Sequence, residues 1–151
     1  MRNRQKGFSL IELLIVVAII LIIAAIAIPN LLRSKIAANE ASAVGSLRSL
    51  NTASVSYNTS YGNYPPALAS LGPSTSPTST TADLIDSALV TGQKSGYQFT
   101  YSSPSPNQQY SITASPITPG VTGQRYFFTD QSGVIRVNLT AIAASTDNPI
   151  S

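Results

Sequence analysis

The chain contains no cysteine and no histidine. Without cysteine there are no disulfides and no thiolate nucleophiles, and the two absences together remove the usual zinc ligand sets and the commonest general base. Charge is scarce as well, at 10% of residues against 43% hydrophobic. No glycine-rich phosphate loop follows a strand pattern, no metal ligands recur at a useful spacing, and the many serines have no base to activate them. The expectation is a protein that is not an enzyme and that holds no metal and no cofactor. At 151 residues there is room for one ordinary domain, less any targeting or membrane segment. The net charge of +3 belongs to the terminus: of nine Lys and Arg, Arg2, Arg4 and Lys6 lie in the first seven residues, and the other six balance six acids.

What the chain does have is an apolar run at one end. Between Phe8 and Ile28 the only polar residues are Ser9 and Glu12, and Leu13 through Ile28 are sixteen uninterrupted residues of Leu, Ile, Val and Ala. At about 1.5 Å per residue, 8–28 reaches roughly 30 Å, the hydrocarbon thickness of a bilayer. The basic residues ahead of it keep the extreme terminus in the cytoplasm and send the rest across. A carboxylate at Glu12 costs on the order of 2.5–3.5 kcal/mol on insertion, whereas the following Leu, Ile and Val contribute about −4 to −7 kcal/mol in sum. Insertion therefore survives the acid. Glu12 is read either as an edge residue reaching for headgroups or as a charge whose partner comes from another molecule or from the chain's own end.

Lys6-Gly7-Phe8-Ser9-Leu10-Ile11-Glu12-Leu13, followed by the apolar run and Pro29, resembles the processing motif of type IV pilins and type II secretion pseudopilins. The resemblance implies a leader of residues 1–7 cut after Gly7 by the prepilin peptidase, with N-methylation of the new terminus, Phe8. It implies that Glu12 pairs with the Phe8 amine of a neighbouring subunit, and that the segment at Pro29 extends when subunits pack. The implied partners are copies of the same chain in a helical filament, the inner membrane, the peptidase and methyltransferase, the assembly machinery and minor pilins. The implied location is the inner membrane first and a surface pilus afterwards. Within this family a pilus subunit is the leading reading and a secretion pseudopilin the alternative. From another class comes a secreted binding module or enzyme with an ordinary signal peptide, since Ala25-Ile26-Ala27 fits a small-x-small cleavage site. That reading predicts a mature terminus at Ile28.

Beyond Pro29, which should bend or loosen the helix, Ile36, Ala43, Val44, Leu47, Leu50, Tyr57 and Tyr61 mostly recur at helical spacing. Asn39, Glu40, Ser46, Arg48 and Asn51 fill much of the polar side. One helix is predicted from about Phe8 to Ser60, in a lipid-facing half (8–28) and an amphipathic half (29–60), with Gly45 packed on the head. The fold expected is α+β and pilin-like: this helix laid on a small antiparallel sheet of three or four strands.

Residues 61–96 read as a helix-to-sheet connection. Within it Ser74–Thr80 is an exposed Ser/Thr/Pro loop open to glycosylation. Thr80 and Asp83 have capping-box spacing for a short helix over 81–90. Asp83 and Asp86 could serve as paired carboxylates, but stabilising that helix's first turn explains them. From 97 to 140 the period is two: Tyr97, Phe99 and Tyr101, then Tyr110, Ile112 and Ala114. Arg125–Thr129 and Val134–Asn138 flank a turn at Asp130–Gly133. Pairing Thr129 with Val134 puts Tyr126, Phe128, Ile135 and Val137 on the core face. Arg125 and Arg136 then lie outside, solvated, with nucleic-acid contact the alternative. The tail, 141–151, is expected to be loosely attached. Lacking Cys and a late acidic cluster, it has neither the disulfide of many pilins nor the calcium-stabilised terminus of major pseudopilins.

Overall fold

The structure is a computed structural model that describes residues 8–104 and 107–150. The chain divides into two units, Met1–Ser34 and Lys35–Ser151. Helix α1 (Leu10–Tyr61) contributes to both and includes Pro29. In the second unit its buried positions include Ile36, Glu40, Ala43, Leu47, Leu50, Ser54 and Tyr57. Steps of three and four keep these on one stripe of a 3.6-residue helix. Gly45 is off that stripe, and a Cβ there would meet nothing within 4 Å. It is not the head contact that the sequence suggested.

After α1 come a 3-10 turn (Leu68–Leu71), a one-turn helix α2 (Ser87–Val90) and six strands: β1 (Gln93–Lys94), β2 (Tyr97–Ser102), β3 (Ser111–Pro116), β4 (Tyr126–Asp130), β5 (Arg136–Asn138) and β6 (Asn148–Pro149). They form one antiparallel meander in sequence order. The sheet exceeds the expected three or four strands because β1 and β6 are two residues long, too short to show a period. Phe99, Ala114, Phe127 and Val137 stand opposite one another across four strands. That row meets Leu47, Leu50 and Tyr57 of α1 in one core.

Three local expectations are corrected. The β4–β5 register pairs Phe127 with Val137 and Phe128 with Arg136, so Phe127 and Thr129 face the core and Phe128 lies outside. The turn takes one residue more than expected, closed by Gly133 N–H on Asp130 C=O at 2.9 Å with Gly133 at φ +72°. A one-residue slip exchanges the faces of a strand. The short helix starts at Ser87, not near Thr81. Its N-cap is Asp86, which accepts from Leu89 N–H at 2.8 Å. Asp83 instead has a positive φ and accepts from Ser74 N–H. The tail is attached: β6 pairs with β5, Ala143 is buried, Ile150 packs on the core, and Arg136 Nη1 donates to Asp147 C=O at 2.9 Å.

Candidate filament-assembly segment

Among the described residues of the first unit the large apolar side chains are not buried. Phe8 is 81% exposed, and Leu, Ile and Val side chains from Leu10 to Leu32 are exposed on every side of the helix. The helix is long and apolar enough to cross a membrane. A helix apolar all round needs lipid or other helices as its surroundings. Small residues Ala24, Ala25 and Ala27 allow close approach by a neighbour. Gly7 lies outside the described residues.

Glu12 has a partner within the chain. Its Oε2 accepts Ser9 N–H at 3.0 Å, and Leu13 N–H donates to Ser9 C=O at 3.2 Å. Ser9 and Glu12 therefore have the spacing of a capping box, with Glu at the third helical position. This bond satisfies one orphan amide and places the carboxylate in the positive end of the helix dipole. An ionised carboxylate has about four acceptor sites, and among the described residues this is the one taken. Downstream, Pro29 has no N–H to give the preceding turn. The side chain of the next residue compensates, Asn30 Nδ2 donating to Ile26 C=O at 3.0 Å, and Ser34 Oγ donates in turn to Asn30 C=O at 3.0 Å.

The head holds two polar clusters that periodicity assigned to solvent. Glu40 is only 6% exposed; it accepts Gln124 N–H at 2.8 Å, Arg125 N–H at 3.1 Å and Arg125 Nε at 2.7 Å. Burial pushes its pKa up, but the Gln124 amide and the Arg125 guanidinium and amide outweigh that and hold it below the usual carboxylate range. Asn51 donates to Thr129 Oγ1 at 2.8 Å and accepts Tyr110 Oη–H at 3.1 Å. Burial pushes that phenol up to about 12. A polar residue on the apolar stripe, as Glu40 is four places after Ile36 and three before Ala43, was the signal available for the first cluster. Arg125 also lies 5.5 Å over the Phe127 ring. With Arg136 tied to the tail, both cations considered for nucleic acid are used within the head. Asp86 pairs with Lys94 at 2.6 Å, and that ammonium with the Leu89 amide lowers its pKa. Among the described residues no three His, Cys, Asp or Glu side chains gather as a metal site.

Residues 2–28 match the prokaryotic N-terminal methylation motif. The type IV wide pilus major component PilA4 of Thermus thermophilus is 38% identical over 104 residues, which are 64% of this chain and 79% of that protein. A match of that length extends beyond α1 into the head. The type IV major pilin protein PilA of Myxococcus xanthus is 50% identical over 54 residues, 36% of this chain and 24% of that one. The type II secretion system core protein G of Dickeya chrysanthemi is 32% identical over 72 residues, 48% of this chain and 47% of that one. No solved structure matches. A methylation motif that runs through the apolar helix as far as residue 28, with similarity to a pilus component that continues into an α+β head, establishes that the chain belongs to the type IV pilin and pseudopilin family.

Proposed function

We propose that the chain is a structural subunit of a type IV pilus, anchored in the inner membrane as a precursor and polymerised through its N-terminal helix. The observation that carries this reading is the helix surface from Leu10 to Ile28, apolar on every side and interrupted by one carboxylate at its start. In this reading the terminus ahead of the helix is cytoplasmic and the head lies across the membrane. Prepilin peptidase cuts after Gly7, and methylation follows at Phe8. Polymerisation then exchanges lipid for neighbouring helices, and Glu12 exchanges its Ser9 amide for the Phe8 amine of an adjoining subunit. In low dielectric only a matched register cancels the desolvation cost of both charges, so Glu12 selects the register. Pro29 supplies a point at which the helix can extend, and assembly machinery with minor pilins completes the filament.

Intact mass of sheared filaments tests the reading directly. The expected species is residues 8–151 carrying one added methyl; a chain that keeps its first seven residues, or one that starts at Ile28, would overturn it.

The match to core protein G favours a second reading, a pseudopilin of a secretion machine. Loss of surface filaments from a deletion strain, with secreted enzymes unaffected, selects the pilus. The opposite pattern selects the pseudopilin.

A further inference from the structure

The connection between β3 and β4, residues 117–124, is held far more tightly than a surface loop needs. Ile117 N–H donates to Gly96 C=O at 3.0 Å, Gly120 N–H to Gly123 C=O at 2.8 Å and Thr122 N–H to Thr118 C=O at 2.9 Å. From α1, Asn39 Nδ2 donates to Thr122 C=O at 2.8 Å, and Glu40 takes the amides that follow. Gly123 lets the backbone lie against the Tyr97 ring, where any Cβ would overlap the hydroxyl. Yet this fixed loop leaves Ile117 50% and Val121 52% exposed. It carries no charge; the sequence has none from Ser95 through Gln124.

Its position along α1 limits what can cover those side chains. Asn39 and Glu40 follow Leu32, the last large residue of the exposed apolar surface, by seven and eight residues. Between them stand Arg33 and Lys35, cations of the kind that settle at phosphate headgroups. The loop is thus fastened to α1 within the first two turns of the second unit. For an unassembled copy the apolar medium so few residues away along the chain is the bilayer.

We propose that the 117–124 loop seats Ile117 and Val121 in the headgroup layer of the membrane that holds the unassembled chain. This rests on the membrane-anchored reading above. A loop already ordered loses little further entropy on contact, and its lack of charge removes the desolvation cost that lysine or aspartate would bring. The contact holds the head against the surface until extraction, and polymerisation breaks it.

The absence of cysteine makes the test direct. Full-length variants Val121→Cys, Thr75→Cys and Ile19→Cys, each carrying a nitrobenzoxadiazole label, are reconstituted at low density into phosphatidylethanolamine–phosphatidylglycerol vesicles with headgroup-nitroxide or acyl-nitroxide lipid. The label at Val121 should be quenched several-fold more than that at Thr75 on the exposed Ser/Thr loop, and Ile117→Ser should reduce the difference. Quenching at Ile19 with none at Val121 overturns the loop contact alone. No quenching at Ile19 overturns membrane anchoring and the loop contact together. Shielding of Val121 that arises only in filaments makes a second copy the occupant and overturns the proposal.

Discussion

Two glutamates on one helix have opposite surroundings. Glu40 sits in the head with both carboxylate oxygens occupied, by two backbone amides and a guanidinium. Glu12 sits at the start of the apolar segment with, among the described residues, a single bond, to the amide of Ser9. The apolar residues around them differ in the same way: most large ones of the head close on a core, with a few such as Ile117 and Val121 left exposed, whereas those of the first unit face away from the chain on all sides. The acid of the head completes its hydrogen bonding within one molecule. The first unit leaves both its apolar surface and its acid incomplete, which is the arrangement a polymer requires.

The comparison breaks most severely at Glu12. Glu12→Ala removes the carboxylate without disturbing the head, so membrane-fraction protein should equal or exceed wild type while sheared filament yield falls to a small fraction. The scale is that of deleting one partner of a buried ion pair, about 3–5 kcal/mol for each subunit contact. Abundant filaments from this variant would show that the remaining acceptor capacity of Glu12 is unused.

On the head side the largest effect belongs to Phe127. It is fully buried between Ala114 and Val137, so Phe127→Ala should destabilise the head by about 3–5 kcal/mol in urea titration. Phe128→Ala, one residue on but outside the core, should cost less than about 1 kcal/mol. Equal losses would mean that β4 is not faced as described.

That pair also marks where sequence legibility ends. The N-terminal helix was readable because Leu13 through Ile28 hold no polar residue that would suggest another element, and the stripe on α1 and the β2 and β3 faces follow from strict periods. Arg125-Tyr126-Phe127-Phe128-Thr129 has three aromatics in succession, so alternation cannot decide the face, and the decision fell to a turn length that was one residue short. Glu40 and Asn51 were placed in solvent because residue type outweighed position. What makes them core residues is a set of backbone, hydroxyl and guanidinium partners 59 to 85 residues away. Short edge strands such as β6 have no period to detect. The Ser9–Glu12 box, by contrast, is legible in the spacing, Ser followed three residues later by Glu ahead of an apolar run.

Glu40→Ala should have an intermediate effect. It leaves two amides and a guanidinium without their acceptor, but Arg125 is partly exposed and can recover water, so the cost is about 2–3 kcal/mol. Because the pKa of Glu40 is lowered in the fold, its contribution is complete above the ordinary value of 4.5 and is lost as pH falls through the lower folded value. The wild-type urea midpoint should therefore drop in that acidic window by more than the midpoint of Glu40→Gln. Parallel curves would show that the carboxylate's charge does not matter to the head.

A small gain in stability is expected within the head's own stretch of α1. Gly45 is exposed in the helix interior, has no positive φ, and offers open space to a Cβ. Gly45→Ala should therefore stabilise the head by about 1 kcal/mol through helix propensity alone, seen as a higher urea midpoint. If the head is complete in itself, filament yield should rise or stay level with that gain. A stabilised head that assembles poorly would instead place the Gly45 face against a neighbouring subunit, because a methyl group harmless to the isolated fold would then be intruding on a second copy.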